Sequence, residues 1–183
     1  NYKDYAKVLD EEGVDFLDGV ILDYGVSSHQ IDDPKRGFSY RAKEAPLDMR
    51  MDESAALNAE AVVNTYSEER LSKIIKDYGE EAFAGRIARN ICLAREEKPL
   101  KTCGELASIV EKSIPAKLRY GGAPCERKTF QAIRIEVNGE MEALRMMLEQ
   151  SERVLRPGGR LVVIAYHSLE DRTVKNFMRS GRF

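Results

Sequence analysis

Asp23 closes a short apolar run, Val20-Ile21-Leu22, and opens into a small-residue loop, Gly25-Val26-Ser27-Ser28. In an α/β protein a buried strand reads as a continuous apolar run, and ligands bind beyond the carboxyl ends of such strands. A carboxylate on that edge, followed by residues with little bulk, lets a ligand approach the backbone closely. The alternative is an exposed turn residue at a strand terminus, and position alone leaves both readings open. His167 follows a second apolar run, Arg160–Tyr166, and leads into Ser168-Leu169-Glu170-Asp171. Ser168 with Asp171 has the spacing of a capping box, and a helix N-terminus behind a strand also collects polar ligand groups. Lys117, Arg119, Arg127, Lys128 and Arg134, against Glu126 alone, give residues 117–134 a net charge of +4. Tyr120 and Phe130 lie among them. Basic side chains with interleaved aromatics suit phosphate contact and base stacking on RNA; the plain alternative is a solvated loop.

Two apolar strands must hold these groups, and most of the chain between them has a helical period. Residues 1–18 read as a short helix on Tyr5, Val8 and Leu9, ended by a turn at Gly13, and residues 19–24 as a strand. Residues 25–52 read as a long polar and aromatic loop, a length that points to function. Leu57 to Tyr66, Leu71 to Tyr78, Phe83 to Ala94 and Leu106 to Val110 carry four apolar stripes at helical spacing. Pro99 separates the third from the fourth, and Thr102 with Glu105 reads as a capping box for the fourth. The longest helix is predicted from about Phe130 to Leu155, stopped by Pro157-Gly158-Gly159, and a final helix starts at Ser168. Met141, Met146 and Met147 are core filler, and Arg86 and Arg89 ordinary surface charges.

The fold class that follows is α/β: an incomplete parallel sheet interrupted by a large all-helical insertion, mostly helical by content. Residues 1–52 and 129–183 form the sheet part, and 53–128 the insertion. The chain has 183 residues, a net charge of −2, 43% hydrophobic and 33% charged residues. That composition describes one soluble domain with an insertion, confines any polyanion surface to a local patch, and has no membrane-length apolar run. Cys92, Cys103 and Cys125 are widely spaced with no C-x-x-C pair, which points to a reducing cytoplasm and to neither a disulfide frame nor a metal site. Two strands are too few for a stable open sheet, and the start lacks Met, so the chain reads as part of a larger domain. Its exposed sheet edges predict a homodimer or strand exchange.

Several blocks in one order carry a family resemblance over all 183 residues. Leu22-Asp23-Tyr24-Gly25-Val26-Ser27-Ser28-His29-Gln30, Asp32-Asp33-Pro34, Arg36-Gly37-Phe38-Ser39-Tyr40-Arg41 and Pro46-Leu47-Asp48-Met49-Arg50-Met51-Asp52 are similar to the bacterial ribosomal small-subunit RNA methyltransferase H family, also called MraW. So are Tyr78-Gly79-Glu80-Glu81, Thr129-Phe130-Gln131-Ala132-Ile133-Arg134 and His167-Ser168-Leu169-Glu170-Asp171-Arg172. The resemblance implies an S-adenosylmethionine-dependent enzyme that methylates the exocyclic 4-amino group of a cytidine in 16S ribosomal RNA, on a Rossmann-like core with a helical insertion for substrate recognition. It implies cofactor contacts at Tyr2, Asp23 and Gln30. Tyr2 stands where the family usually has Phe, and Ala123-Pro124-Cys125 replaces its usual His-Pro-Ala. The family's glycine-rich cofactor loop falls upstream of Asn1, so the piece alone is expected to lack a complete cofactor pocket and activity.

Asp23 is the candidate catalytic residue, accepting hydrogen bonds from the target amine with the Tyr24 and Gly25 carbonyls. Phe38 and Tyr40 are candidates to stack on a flipped base, and Asp48, Arg50, His167 and Asp171 to line its pocket. Lys117, Arg119, Arg127 and Lys128 are candidates for RNA contact. Two rival readings are a non-catalytic RNA-binding or assembly module and a nucleotide hydrolase. No G-x-x-x-x-G-K-[ST] occurs, which counts against the second.

Overall fold

The two apolar runs do pair, in parallel and side by side. The computed structural model describes residues 2–119 and 122–183, so Tyr120 lies outside the described residues. In chain order the elements are α1 (Tyr5–Glu11), β1 (Leu17–Asp23), α2 (Ser28–Asp32), α3 (Ala59–Thr65), α4 (Glu68–Gly79) and α5 (Ala84–Glu97). α6 (Cys103–Ser113), α7 (Ala116–Arg119), α8 (Arg127–Asn138), α9 (Glu140–Val154), β2 (Leu155–Ile164) and α10 (Ser168–Ser180) follow. Single 3₁₀ turns occupy Tyr2–Asp4 and Pro34–Arg36. No helix among the described residues is long and apolar enough to cross a membrane.

The chain divides into two compact units, one of residues 2–25 with 139–183 and one of Val26–Asn138. The first holds the sheet, whose register runs from Gly19 opposite Arg160 to Asp23 opposite Ile164. α9 packs against β2, α10, α1 and the turn at Tyr2–Asp4. Leu144, Met147 and Leu148 are its buried stripe, and Val174 and Phe177 are that of α10. On the other face Ile21, Val162 and Ile164 stay exposed, Ile21 at 77%. Parallel strands ordinarily carry apolar side chains on two covered faces, so this sheet is a partial Rossmann-like core.

The second unit is helical. α4 packs against α5 and α8, α5 against α6 and α3, and α3 against α8. Leu71, Ile75, Ile87, Ile91, Leu106 and Ile133 are fully buried at its centre, each worth about 1.5–3 kcal/mol against exposure. The stripes read in the sequence are the faces these helices bury. Thr102 caps α6 as predicted, its hydroxyl taking the Glu105 N–H while the Glu105 carboxylate takes the Thr102 N–H.

Four details depart from the sequence reading. Residues 25–52 are not all loop: Ser27 and Gln30 form a capping box that starts α2. The predicted long helix is two, broken where Gly139 takes the left-handed conformation, φ +58°. Pro157-Gly158-Gly159 lies within β2, which is bulged between its pairs with Leu17 and Gly19. α10 is capped by His167 with Glu170, one residue earlier than Ser168 with Asp171. The first unit's segments end at Gly25 and resume at Gly139, and the second runs between them. Leu47 and Met49 from the loop, and Phe130, Ile133 and Val137 from α8, are part of the helical core. Backbone bonds from Leu47 to Lys101 and from Cys103 to Ala45 join the same loop to α6.

Candidate active site

Asp23 is the last residue of β1, and its side chain is exposed. Gly25, two residues on, sits at φ +108°, a conformation side chains other than glycine's rarely adopt. β2 ends opposite, and Tyr166 follows it as an exposed residue, at 64%. The Tyr166 hydroxyl donates to Asp23 Oδ1 at 2.8 Å, and this bond raises the tyrosine's pKa. The ring stands 3.6 Å from where a Cβ on Gly25 would be.

Beneath Tyr166 the capping box of α10 is buried. Glu170, 1% exposed, accepts through Oε2 from the N–H groups of Tyr166 at 2.8 Å and His167 at 3.3 Å. His167 Nδ1 accepts from the Glu170 N–H, so a neutral ring carries its proton on Nε2. That Nε2 lies 2.9 Å from Glu170 Oε1, a close polar approach in which neither atom has an aligned hydrogen bond. His167 is therefore turned inward, its side chain 8% exposed. Asp171 points outward and pairs with Lys175 at 2.8 Å.

Tyr24 points into the same unit and donates its hydroxyl to the Glu140 carbonyl. Tyr2 is half-buried and meets the Tyr24 ring edge-on at 5.5 Å. Burial pushes both phenols above their ordinary pKa, and for Tyr24 the hydrogen bond with Tyr2 adds to the rise.

In the helical unit the predicted residues are tied into a rigid loop. Arg50 clasps Asp48 with two bonds, Nε to Oδ1 at 2.9 Å and Nη2 to Oδ2 at 2.8 Å. The hydrogen bond from Arg50 holds the Asp48 carboxyl below its ordinary range. The remaining Arg50 nitrogen donates to the Glu53 and Ala55 carbonyls. Phe38 and Tyr40 are half-buried against the core, Tyr40 edge-on to Phe130 at 5.8 Å. Gln30 is half-buried and takes the Ser27 N–H. Of the basic residues, Lys117, Arg127 and Lys128 are exposed. Arg119 folds back to the Ile114 carbonyl at 2.8 Å, and Lys128 reaches the Glu80 carbonyl at 3.0 Å.

The sequence profile of the MraW methylase family matches residues 1–182. The chain belongs to the MraW methylase family.

Its similarity to individual proteins agrees. It is 51% identical over 181 residues to the ribosomal RNA small subunit methyltransferase H 2 of Agathobacter rectalis, covering 98% of this chain and 58% of that protein. It is 52% identical over 175 residues to the ribosomal RNA small subunit methyltransferase H of Symbiobacterium thermophilum, covering 96% and 55%. With the Deinococcus deserti protein of that name the identity is 52% over 178 residues, covering 97% and 58%. The chain thus spans little more than half the length of the relatives it matches.

Two residues of this MraW family member escaped the sequence reading. Tyr166 read as the last residue of a strand, and nothing in its spacing showed that it would reach Asp23. Glu170 lay unassigned between Ser168 and Asp171, though its position three residues after His167 was a usable signal.

Proposed function

We propose that the protein, at the full length of its relatives, is an S-adenosylmethionine-dependent methyltransferase acting on the exocyclic 4-amino group of a cytidine in 16S ribosomal RNA of the small subunit. The observation that carries this reading is the exposed Asp23 carboxylate at the carboxyl end of a parallel strand, with open backbone at Gly25 behind it. That arrangement fits S-adenosylmethionine, whose hydroxyl and ammonium groups are donors for such a carboxylate. Tyr2, Asp23 and Gln30 are the proposed cofactor contacts. The cofactor, when bound, supplies a methyl group on a positively charged sulfur.

The chain's own part is to hold an amine whose lone pair is delocalised into the ring. Asp23, with the Tyr24 and Gly25 carbonyls, orients it by accepting its N–H bonds, and such alignment contributes several kcal/mol to the rate. In this proposal Phe38 or Tyr40 stacks on the flipped base, and Asp48, Arg50, His167 and Asp171 line its pocket. Arg50 acts there as scaffold, since its donors are engaged within the protein. Lys117, Arg119, Arg127 and Lys128 take RNA phosphates, so affinity falls as salt rises. Residues 53–128 serve substrate recognition, residues 1–52 and 129–183 serve catalysis, and the protein works in the cytoplasm. Cofactor binding belongs to the full-length protein.

The test is methyl transfer by the full-length protein from labelled S-adenosylmethionine to small-subunit RNA, with the product nucleoside digested and identified. Label on the 4-amino group of cytidine is the expected result. RNA binding with no transfer would overturn the reading in favour of a non-catalytic RNA-binding or assembly module.

A further inference from the structure

Tyr166 is an exposed residue fixed at both ends. Its backbone N–H is held by the buried Glu170 carboxylate at 2.8 Å. Its hydroxyl is held by Asp23 at 2.8 Å. The ring lies beside the Gly25 backbone, where a Cβ would meet Tyr166 Cδ2 at 3.6 Å, an ordinary van der Waals contact. An exposed phenol ordinarily samples several rotamers, and two anchors on opposite ends of one residue remove that freedom.

We infer that Tyr166 is a positioning residue for Asp23: its hydroxyl occupies Oδ1 and leaves Oδ2 as the oxygen presented to an N–H donor of the target base. An exposed aspartate without such a partner rotates about two bonds and offers either oxygen in many directions. With Oδ1 engaged, one acceptor faces one way. Glu170 acts one step further back, because it fixes the backbone from which the Tyr166 ring projects. The inference deepens the proposed methyl transfer and rests on Asp23 acting there. It concerns orientation, not proton removal, so it predicts an effect on the rate with bound substrate and not on RNA affinity.

The experiment uses the full-length protein with Tyr166→Phe, Asp23→Ala and the double variant. Tyr166→Phe deletes only the hydroxyl of an exposed ring, so its thermal midpoint should match the wild type. The expected result is a single-turnover rate about tenfold lower, with KM for RNA unchanged, as suits one lost hydrogen bond to a charged group. The double variant should be no slower than Asp23→Ala, because Tyr166 acts through Asp23. In the unliganded protein the Tyr166 phenol, followed by its phenolate absorbance, should titrate at lower pH in Asp23→Ala than in the wild type. A wild-type rate for Tyr166→Phe, with Asp23→Ala impaired, overturns this inference alone. Losses that add in the double variant do the same. A wild-type rate for Asp23→Ala overturns the reading on which it rests.

Discussion

Asn138, the last residue of α8, holds Met49 in place by donating from Nδ2 to the Met49 carbonyl at 2.7 Å. Its other atom, Oδ1, accepts the Met51 N–H at 2.7 Å, and Nδ2 also reaches the Arg134 carbonyl at 2.9 Å. Met49 is fully buried and sits at φ +61°, a conformation that costs a bulky residue of order 1–3 kcal/mol. One side chain therefore stabilises the turn that carries the Asp48–Arg50 pair.

Asn138→Ala should lower stability by about 2–4 kcal/mol, because it strands the half-buried Met51 amide and the carbonyl of the buried Met49. Urea unfolding of wild type and variant checks this. A midpoint within error of the wild type would show that the turn holds without Asn138.

Gly37→Ala should be among the most damaging single substitutions in the loop. Gly37 has φ +67°, and a Cβ there would collide with the Pro46 carbonyl oxygen and lie 2.9 Å from the Asp48 nitrogen. Both obstacles are backbone, so the loop itself must move, at about 3 kcal/mol or more. Gly85→Ala is the matched control: it is exposed in α5, its Cβ meets only Ser72 Oγ at 3.7 Å, and it should be neutral to slightly stabilising. Thermal melts of the two variants should separate clearly.

Acid stability should depend on Glu105. Its hydrogen bonds from Lys98 and from the backbone of Lys101 and Thr102 hold the carboxyl at about 2, against an ordinary value of 4.5. A folded pKa below the unfolded one stabilises above the unfolded value, and that contribution is lost as pH falls from 4.5 toward about 2. Glu105→Gln should flatten this part of the urea-midpoint profile. Glu105 is half-buried but its partner Lys98 is exposed, so added salt should shrink the difference between wild type and variant.

The three cysteines should label in a set order. Cys103 is fully buried and burial pushes its thiol up to about 11, while Cys92 and Cys125 are half-buried. Thiolate is the reactive form, so iodoacetamide at pH 8 should modify Cys92 and Cys125 and spare Cys103 in the folded protein. Peptide mass spectrometry reads the order, and equal rates at all three sites would contradict the packing of α6.

Elements with a strong period were legible in the sequence. The stripes of α3 to α6 and the Thr102–Glu105 cap depend on local spacing, and local spacing is what a sequence displays. Gly139 was not read as a break because an apolar stripe continues across it, from Val137 to Met141 and Leu144, and only its backbone conformation divides the helix. The caps at Ser27 and His167 were missed or shifted because neighbouring residues offered equally good capping letters. At the candidate site, Asp23 was legible as a carboxylate behind an apolar run. Its partner Tyr166 was not, since parallel pairing sets that neighbour 143 positions away. Arg50 looked free in the sequence because nothing there shows that its nitrogens face Asp48, Glu53 and Ala55.

The most direct test of Asp23 is the single-turnover rate of methyl transfer by full-length Asp23→Asn, measured with S-adenosylmethionine binding to the same variant. Asparagine keeps the size of the side chain and removes its charge and one acceptor. The expected rate on small-subunit RNA is lower by about 100-fold or more. Transfer at the wild-type rate, by a variant confirmed as folded, would contradict it.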